Sequence, residues 1–150
     1  MHYRTGFILM IAISVLLISC GTLNTGSSRS PESSLMSTYS EWKGTPYILG
    51  GNSESGVDCS GFVMTAMQEN FGIDLPRTTR EQISEGRNVR QRYLRTGDLV
   101  FFDTGPLTYH VGIMVGTRRF IHASYSSGVT IDRLDNSYWQ ERFHAGRRVI

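Results

Sequence analysis

The sequence predicts an α+β domain, with helices first and an antiparallel sheet after them. Between residues 35 and 85, apolar residues recur at helical spacing between cap and stop residues. From residue 98 onward the pattern changes to short runs rich in Val, Ile, Phe and Tyr, separated by turn residues. Helices and strands that segregate along a chain belong to α+β architecture, whereas parallel sheets need them to alternate. Five strands are legible directly, which implies a sheet of about five to six.

The first 34 residues stand apart from that domain. Arg4 and the amino terminus form a positive start, and Phe7 to Ile18 is an apolar run. A membrane-spanning helix needs about 20 apolar residues, so the run is short for that role and has the order of an export signal. Leu17-Ile18-Ser19-Cys20 resembles a bacterial lipobox, in which cleavage leaves Cys20 as an acylated first residue. Two or more acyl chains hold a protein stably on a membrane where one does not. Gly21, not Asp, follows the cysteine, which resembles the outer-membrane default. Residues 21–34 are polar and aperiodic and read as a flexible tether. The expected layout is a signal over 1–19, lipidated Cys20 and tether over 20–34, and a domain over 35–150.

Within the domain, the first helix is expected from Leu35 to Lys43, ending at Gly44. The second runs from Cys59 to Phe71. Asp58 is its N-cap, because a carboxylate accepts from the unpaired N–H groups of the first turn. Phe62, Val63, Ala66, Met67 and Phe71 form its apolar face, and Gly72 stops it. Thr78-Thr79-Arg80-Glu81 is a capping-box pattern that opens a third helix to Glu85. Strands are expected over 98–103, 110–116, 119–125, 129–134 and 145–150, with a helical turn from Tyr138 to Phe143.

Composition narrows the function classes. The chain carries 15 Lys and Arg against 13 Asp and Glu. Removing Arg4 leaves 14 against 13 from Cys20 onward. The basic residues are dispersed and lack aromatic interleaving, which argues against nucleic acid as a partner. Arg147-Arg148 reads as a solvated strand end. No internal repeat is visible.

Chemistry concentrates on few residues. The chain has two cysteines; with Cys20 assigned to lipid, Cys59 is left without a partner, and an unpaired cysteine in an exported protein suggests a reactive thiol. As first residue of a capped helix it faces unpaired N–H groups and the positive end of the dipole, which favour thiolate and a lowered pKa. The first turn is also a poor place to bury a side chain. His110 and His122 sit in consecutive predicted strands, and one thiol with two imidazoles is the equipment of a cysteine hydrolase. Their cooperation depends on parity. A two-residue loop at Thr117-Arg118 pairs Ile113 with His122 and puts the histidines on opposite faces. A three-residue loop, Gly116-Thr117-Arg118, pairs Gly112 with His122 and puts both on one face. In that arrangement His110 is the base and His122 orients it. His144 has no evident partner. Zinc is disfavoured, because the spacing fits no finger and no fourth ligand presents itself.

Six segments in order carry a family resemblance: Gly44-Thr45-Pro46-Tyr47 with Gly50-Gly51, Asp58-Cys59-Ser60-Gly61-Phe62-Val63, Leu75-Pro76-Arg77-Thr78, Gly97-Asp98-Leu99-Val100-Phe101-Phe102, His110-Val111-Gly112-Ile113 and Phe120-Ile121-His122-Ala123-Ser124. Over about residues 36–150 the chain resembles the NlpC/P60 family of cell-wall cysteine peptidases. The resemblance implies a circularly permuted papain-like fold, Cys59 as nucleophile, His110 as base and His122 as third polar member. Tyr47 matches a tyrosine whose hydroxyl lies near the thiol and can hold the oxyanion; plain aromatic packing is the other use of that position. Asp58, Ser60 and Arg77 match positions lining the family cleft, though Arg77 also fits a solvated loop. Leu49 stands where many members have an aromatic residue, and Thr96 where the usual motif has Pro. The activity implied is cleavage of stem-peptide or crosslink amides of peptidoglycan through an acyl-enzyme, without a cofactor, by a lipid-anchored protein facing the periplasm. An amidase or acyltransferase of the same superfamily, or an idle envelope adaptor, are the alternatives. No wall-binding module is recognisable in these residues, so the anchor would supply confinement near the wall.

Overall fold

The computed structural model describes residues 29–106 and 108–150. Cys20, the signal and most of the tether lie outside them. Helix α1 spans Pro31–Trp42, four residues earlier than expected. Residues 31–34, assigned above to the tether, are its first turn. Ser30 caps it by accepting from the Ser33 N–H, and Pro31 occupies the first helical position, where its missing N–H costs nothing. This start signal is polar, so hydrophobic periodicity missed it.

Two short strands follow, β1 (Asn52–Ser53) and β2 (Gly56–Val57), paired antiparallel. Helix α2 is Cys59–Phe71 as expected, capped by Asp58 and closed by Gly72 at φ 66°. That φ is open to glycine at no steric cost. Helix α3 is Thr79–Gln82, with the Thr78/Glu81 capping box in place but an end short of Glu85. Strand β3 (Arg87–Asn88) and a 3-10 turn (Gln91–Tyr93) complete the connection. Strands β4 (Leu99–Gly105), β5 (Thr108–Met114), β6 (Arg119–Ser124) and β7 (Gly128–Arg133) follow, then α4 (Ser137–Arg142) and β8 (Phe143–Arg148).

The main sheet has six antiparallel strands in the order β3-β8-β4-β5-β6-β7. Alternation along each strand assigns its residues to two faces. Leu99, Phe101, Val111, Ile113, Ile121 and Ala123 join the core shared with α1 and α2, including Phe62, Val63, Ala66 and Met67. Val100, Phe102, Met114 and Phe120 form a second cluster with Leu134 and Trp139, the latter from α4. Both faces are therefore covered, and each fully buried Phe or Leu contributes roughly 1.5–3 kcal/mol. Among the described residues, no helix is long and apolar enough to cross a membrane.

Arg148 is not the solvated strand end expected. It is buried, and it donates from Nε to Asp98 Oδ1 and from Nη2 to Asp98 Oδ2, each at 2.6 Å. Arg148 Nη2 also donates to the Tyr93 carbonyl at 3.1 Å. Asp98, fully buried, additionally accepts from the Arg95 N–H at 2.9 Å. A bidentate pair of this kind ties β8 to the start of β4, and removing one partner strands the other charge. Asp98→Ala is expected to destabilise the fold by roughly 3–5 kcal/mol. Equilibrium denaturation measures this; a loss below about 1 kcal/mol, the worth of an exposed pair, would contradict it.

Candidate active site

The β5–β6 turn decides whether the two histidines meet. Val115 N–H donates to the Arg119 carbonyl at 2.9 Å, closing a three-residue loop over Gly116, Thr117 and Arg118. Gly116 at φ 61° and Arg118 at φ 57° are left-handed, as a tight bulged hairpin requires. The ladder pairs Ile113 with Ile121 and Met114 with Phe120. Continued by one residue, that register sets Gly112 opposite His122. A Cβ on Gly112 would stand 2.6 Å from the Phe120 ring and 2.8 Å from the Ile121 carbonyl oxygen. The bare glycine therefore lets β6 and its imidazole come close.

Both imidazoles stand on the Trp139 side of the sheet. His110 Nε2 and His122 Nδ1 are 2.8 Å apart, with the rings perpendicular. Trp139 stacks on His110 at 5.5 Å between centroids and meets the His122 ring edge-on at 5.2 Å. His122 Nε2 lies 3.0 Å from Asp132 Oδ2, which also accepts from Trp139 Nε1 at 3.0 Å. Asp132 was not selected from the sequence. Its only signal is parity: Thr130 pairs with His122, so Asp132 is the diagonal neighbour on the same face. His144 is exposed and packs on Tyr109, away from this chain of contacts.

Cys59 enters from α2. It lines one cleft of about 570 Å³ together with Tyr47, His110, His122, Asp132 and Trp139. Its sulfur lies 3.7 Å from Thr79 Oγ1 at the start of α3. The helix end beneath it is cross-braced. Asp58 Oδ1 accepts from Gly61 N–H at 2.7 Å and from Arg77 Nη1 at 2.9 Å, while Oδ2 accepts from Gly50 N–H and Arg77 Nη2, both at 2.8 Å. Arg77 Nη1 reaches Ser60 Oγ at 3.1 Å, and Nη2 the Gly51 carbonyl at 2.9 Å. The structure thus places Asp58, Ser60 and Arg77 in one network that braces the loop before Cys59, and the cleft lining does not include them. Among the described residues, no group of three or more His, Cys, Asp or Glu side chains could hold a metal ion.

The NlpC/P60 family model matches residues 44–148. The chain belongs to the NlpC/P60 family. As a member it is a hydrolase of the peptidase class. It is 40% identical over 168 aligned positions to an Escherichia coli K12 protein named "Murein DD-endopeptidase MepS/Murein LD-carboxypeptidase", spanning 93% of this chain and 89% of that one. It is 49% identical to the "Probable endopeptidase NlpC" of the same organism, spanning 72% of this chain and 71% of that one. Among solved structures, an NlpC/P60 family protein from Bacillus cereus superposes with a TM-score of 0.71 at 33% identity, covering 81% of this chain and 40% of that chain. The NlpC/P60 domain of the peptidoglycan hydrolase SagA superposes with a TM-score of 0.66 at 29% identity, covering 78% and 97%. The expected α+β NlpC/P60 fold is therefore the fold observed.

The electrostatics of this NlpC/P60 site depart from the expectation in one respect. Cys59 is buried, only 6% exposed, because α3 and β5 close over the helix end. Burial pushes the Cys59 thiol up from its ordinary value and outweighs hydrogen bonds from the Val111 backbone, the Thr79 hydroxyl and the Ser60 backbone. The expected lowering at a helix N-terminus is thus reversed. His110 is pushed down, first by burial and then by the neighbouring His122. Both shifts favour a neutral thiol beside a neutral imidazole. Tyr47 is pushed up to about 12 by burial and by the nearby Cys59 and Asp58, so its phenol remains a donor at any working pH. Burial raises Asp58, but Arg77 and the Gly61 and Gly50 amides overcome it and hold the carboxylate below its ordinary range.

Alkylation of Cys59 by iodoacetamide in the unliganded protein is expected to be slow at pH 6–7 and to climb only above the ordinary thiol pKa of about 8.5. A rate already at its plateau near pH 6 would show a preformed thiolate–imidazolium pair and overturn this ordering.

Proposed function

We propose that this protein is a lipid-anchored peptidoglycan endopeptidase that cleaves stem-peptide or crosslink amides through a Cys59 thioester. The observation that carries the reading is the placement of Cys59, His110 and His122 around one cleft, with His110 joined to His122 through Nε2. The murein endopeptidase and NlpC relatives support peptidoglycan as the substrate class.

The chemistry follows from the contacts. His110 has one ring nitrogen engaged by His122 and the other, Nδ1, free to accept the thiol proton. As the sulfur attacks the scissile carbonyl, that proton passes to His110 and the carbonyl oxygen becomes an oxyanion. The Cys59 N–H at the open end of α2 and the Tyr47 hydroxyl are the donors suited to it. Collapse of the adduct breaks the C–N bond, and His110 returns the proton to the leaving amine. Water, deprotonated by His110, then hydrolyses the thioester and regenerates the thiol. His122 orients His110 and leaves the proton transfer itself to it. Asp58, Ser60 and Arg77 brace the loop that carries the nucleophile from behind the cleft.

The enzyme's place is set by Cys20, read as the acylated residue of an outer-membrane lipoprotein facing the periplasm. Anchoring confines the domain near the wall and raises its effective concentration there. No nucleic acid or cofactor is required by this scheme.

Digestion of purified sacculi followed by mass spectrometry of the products tests the reaction and reports which bond is cut. Cys59→Ala and His110→Ala are each expected to abolish product, since residues that act as a unit do not lose activity additively. His122→Ala is expected to retain measurable turnover, and His144→Ala to match the parent. Activity in Cys59→Ala, or a dead His144→Ala beside a healthy His122→Ala, would refute the assignment.

Cys20→Ser is expected to leave the membrane fraction and to cleave less wall in cells at equal expression, while the purified protein keeps its activity on soluble muropeptides. Retention in the outer-membrane fraction with undiminished cleavage would show that some surface of the folded domain does the anchoring.

A further inference from the structure

Asp132 is tied to the site by geometry and has no part in the three-residue scheme. We propose that Asp132, held by Trp139, is a positioning residue that fixes the tautomers of both histidines and so leaves His110 Nδ1 unprotonated and available as a base. This rests on the reading of Cys59 and His110 as nucleophile and base.

The argument runs through donors and acceptors. An indole N–H can only donate, and Trp139 Nε1 donates to Asp132 Oδ2 at 3.0 Å. Asp132 Oδ2 is thereby an acceptor, so at its 3.0 Å contact with His122 Nε2 the imidazole must be the donor. A neutral His122 with a proton on Nε2 has a lone pair on Nδ1. At the 2.8 Å contact between the rings, His110 must then donate from Nε2. The proton of neutral His110 is now accounted for, and its Nδ1 carries the lone pair. The whole chain has one direction: His110 donates to His122, and His122 donates to Asp132.

Without the carboxylate the opposite direction is equally good between the rings alone. His122 Nδ1–H would donate to His110 Nε2, and His110 would carry its proton on Nδ1. The nitrogen needed as base would already be occupied. Asp132 removes that arrangement from the population. The side chains form a diagonal staircase over β5, β6 and β7 on one sheet face. Trp139 braces every step, touching both rings while holding the carboxylate. His122 holding its ionised partner also keeps the Asp132 carboxyl below its ordinary range.

The test reads tautomers directly, without substrate. Full-length protein labelled with ¹⁵N in the imidazoles is examined by long-range ¹H–¹⁵N correlation, with His110→Gln and His122→Gln supplying the assignments. In the parent, both histidines are expected as the Nε2–H tautomer. The Asp132 side chain is 42% exposed, so Asp132→Ala leaves no buried void. Its expected result is a mixture at His110 with a growing Nδ1–H share, and a kcat about 10- to 100-fold lower, by analogy with groups that orient a metal-bound imidazole, with KM unchanged. Asp132→Asn keeps an acceptor oxygen for Trp139 and His122 and is expected to restore the Nε2–H tautomers and most of kcat. Nδ1–H on His110 in the parent, unchanged tautomers in Asp132→Ala, or an Asp132→Asn variant as mixed as Asp132→Ala would each overturn the proposal. Correct tautomers in a protein that releases nothing from sacculi would instead count against the proposed reaction and leave the tautomer assignment standing.

Discussion

The β5–β6 register is the constraint on which the site depends. Side chains on adjacent strands alternate faces, so a shift of one residue would send His122 to the α2 side of the sheet while His110 stayed on the Trp139 side. The loop from Gly116 to Arg118 prevents that shift, with left-handed conformations at Gly116 and Arg118 and the Val115–Arg119 hydrogen bond closing it. Gly112 completes the device by removing the side chain that would otherwise collide with Phe120 and the β6 backbone. Continuing through β7, the same register brings Asp132 onto the histidine face. Three strands, each contributing one residue two positions out of direct opposition, build a polar chain that no single strand could hold.

Cys59 is positioned by a different kind of force. Asp58 caps α2 and at the same time accepts from both terminal guanidinium nitrogens of Arg77, Nη1 and Nη2. A cap of this kind contributes about 1 kcal/mol, and the charge-assisted pair makes its geometry directional. Arg77 extends the brace to Ser60 and Gly51, so the loop before the thiol is tied to the loop before α3. The thiol is thereby held where burial opposes its ionisation. That arrangement suits a mechanism in which the proton leaves sulfur during attack, with a neutral His110 ready to receive it, more than one with a standing ion pair.

Stability and chemistry are kept on separate charges. The buried Asp98–Arg148 pair joins β8, β4 and the 3-10 turn at the far end of β4 from His110's partner Phe102. The Asp58–Arg77 pair braces the loop before Cys59, and Asp132 contacts His122 and Trp139. Each of these three carboxylates has its own donors: Arg148 for Asp98, Arg77 for Asp58, and His122 with Trp139 for Asp132.

Much of this was legible in the residues themselves. Local signals are short-range physics: Asp58 before Cys59, Gly72 after Phe71 and Thr78 with Glu81 dictate caps and stops because their partners lie within one helical turn. The α+β order and the parity condition on His110 and His122 follow from spacing alone, and six short segments in order carry the family resemblance. The sequence could state that a three-residue loop was required for the histidines to meet; only the folded chain chose it, since loop length is settled by which register buries Ile113, Met114, Phe120 and Ile121 together. The start of α1 at Pro31 was hidden because its Ser30 cap is polar and carries no apolar period, whereas the burial of Arg148 and strand β3 depend on contacts with distant segments. Asp132 and Trp139 were hidden for the same reason. Nothing near either residue in the chain signals a role, and their contacts with His122 and His110 exist only where β5, β6, β7 and α4 converge. Burial of Cys59 is likewise a tertiary fact. The helix end set by sequence favours a thiolate, and the packing of α3 and β5 over it reverses that preference because desolvation of a charge outweighs the partial charges of a helix terminus.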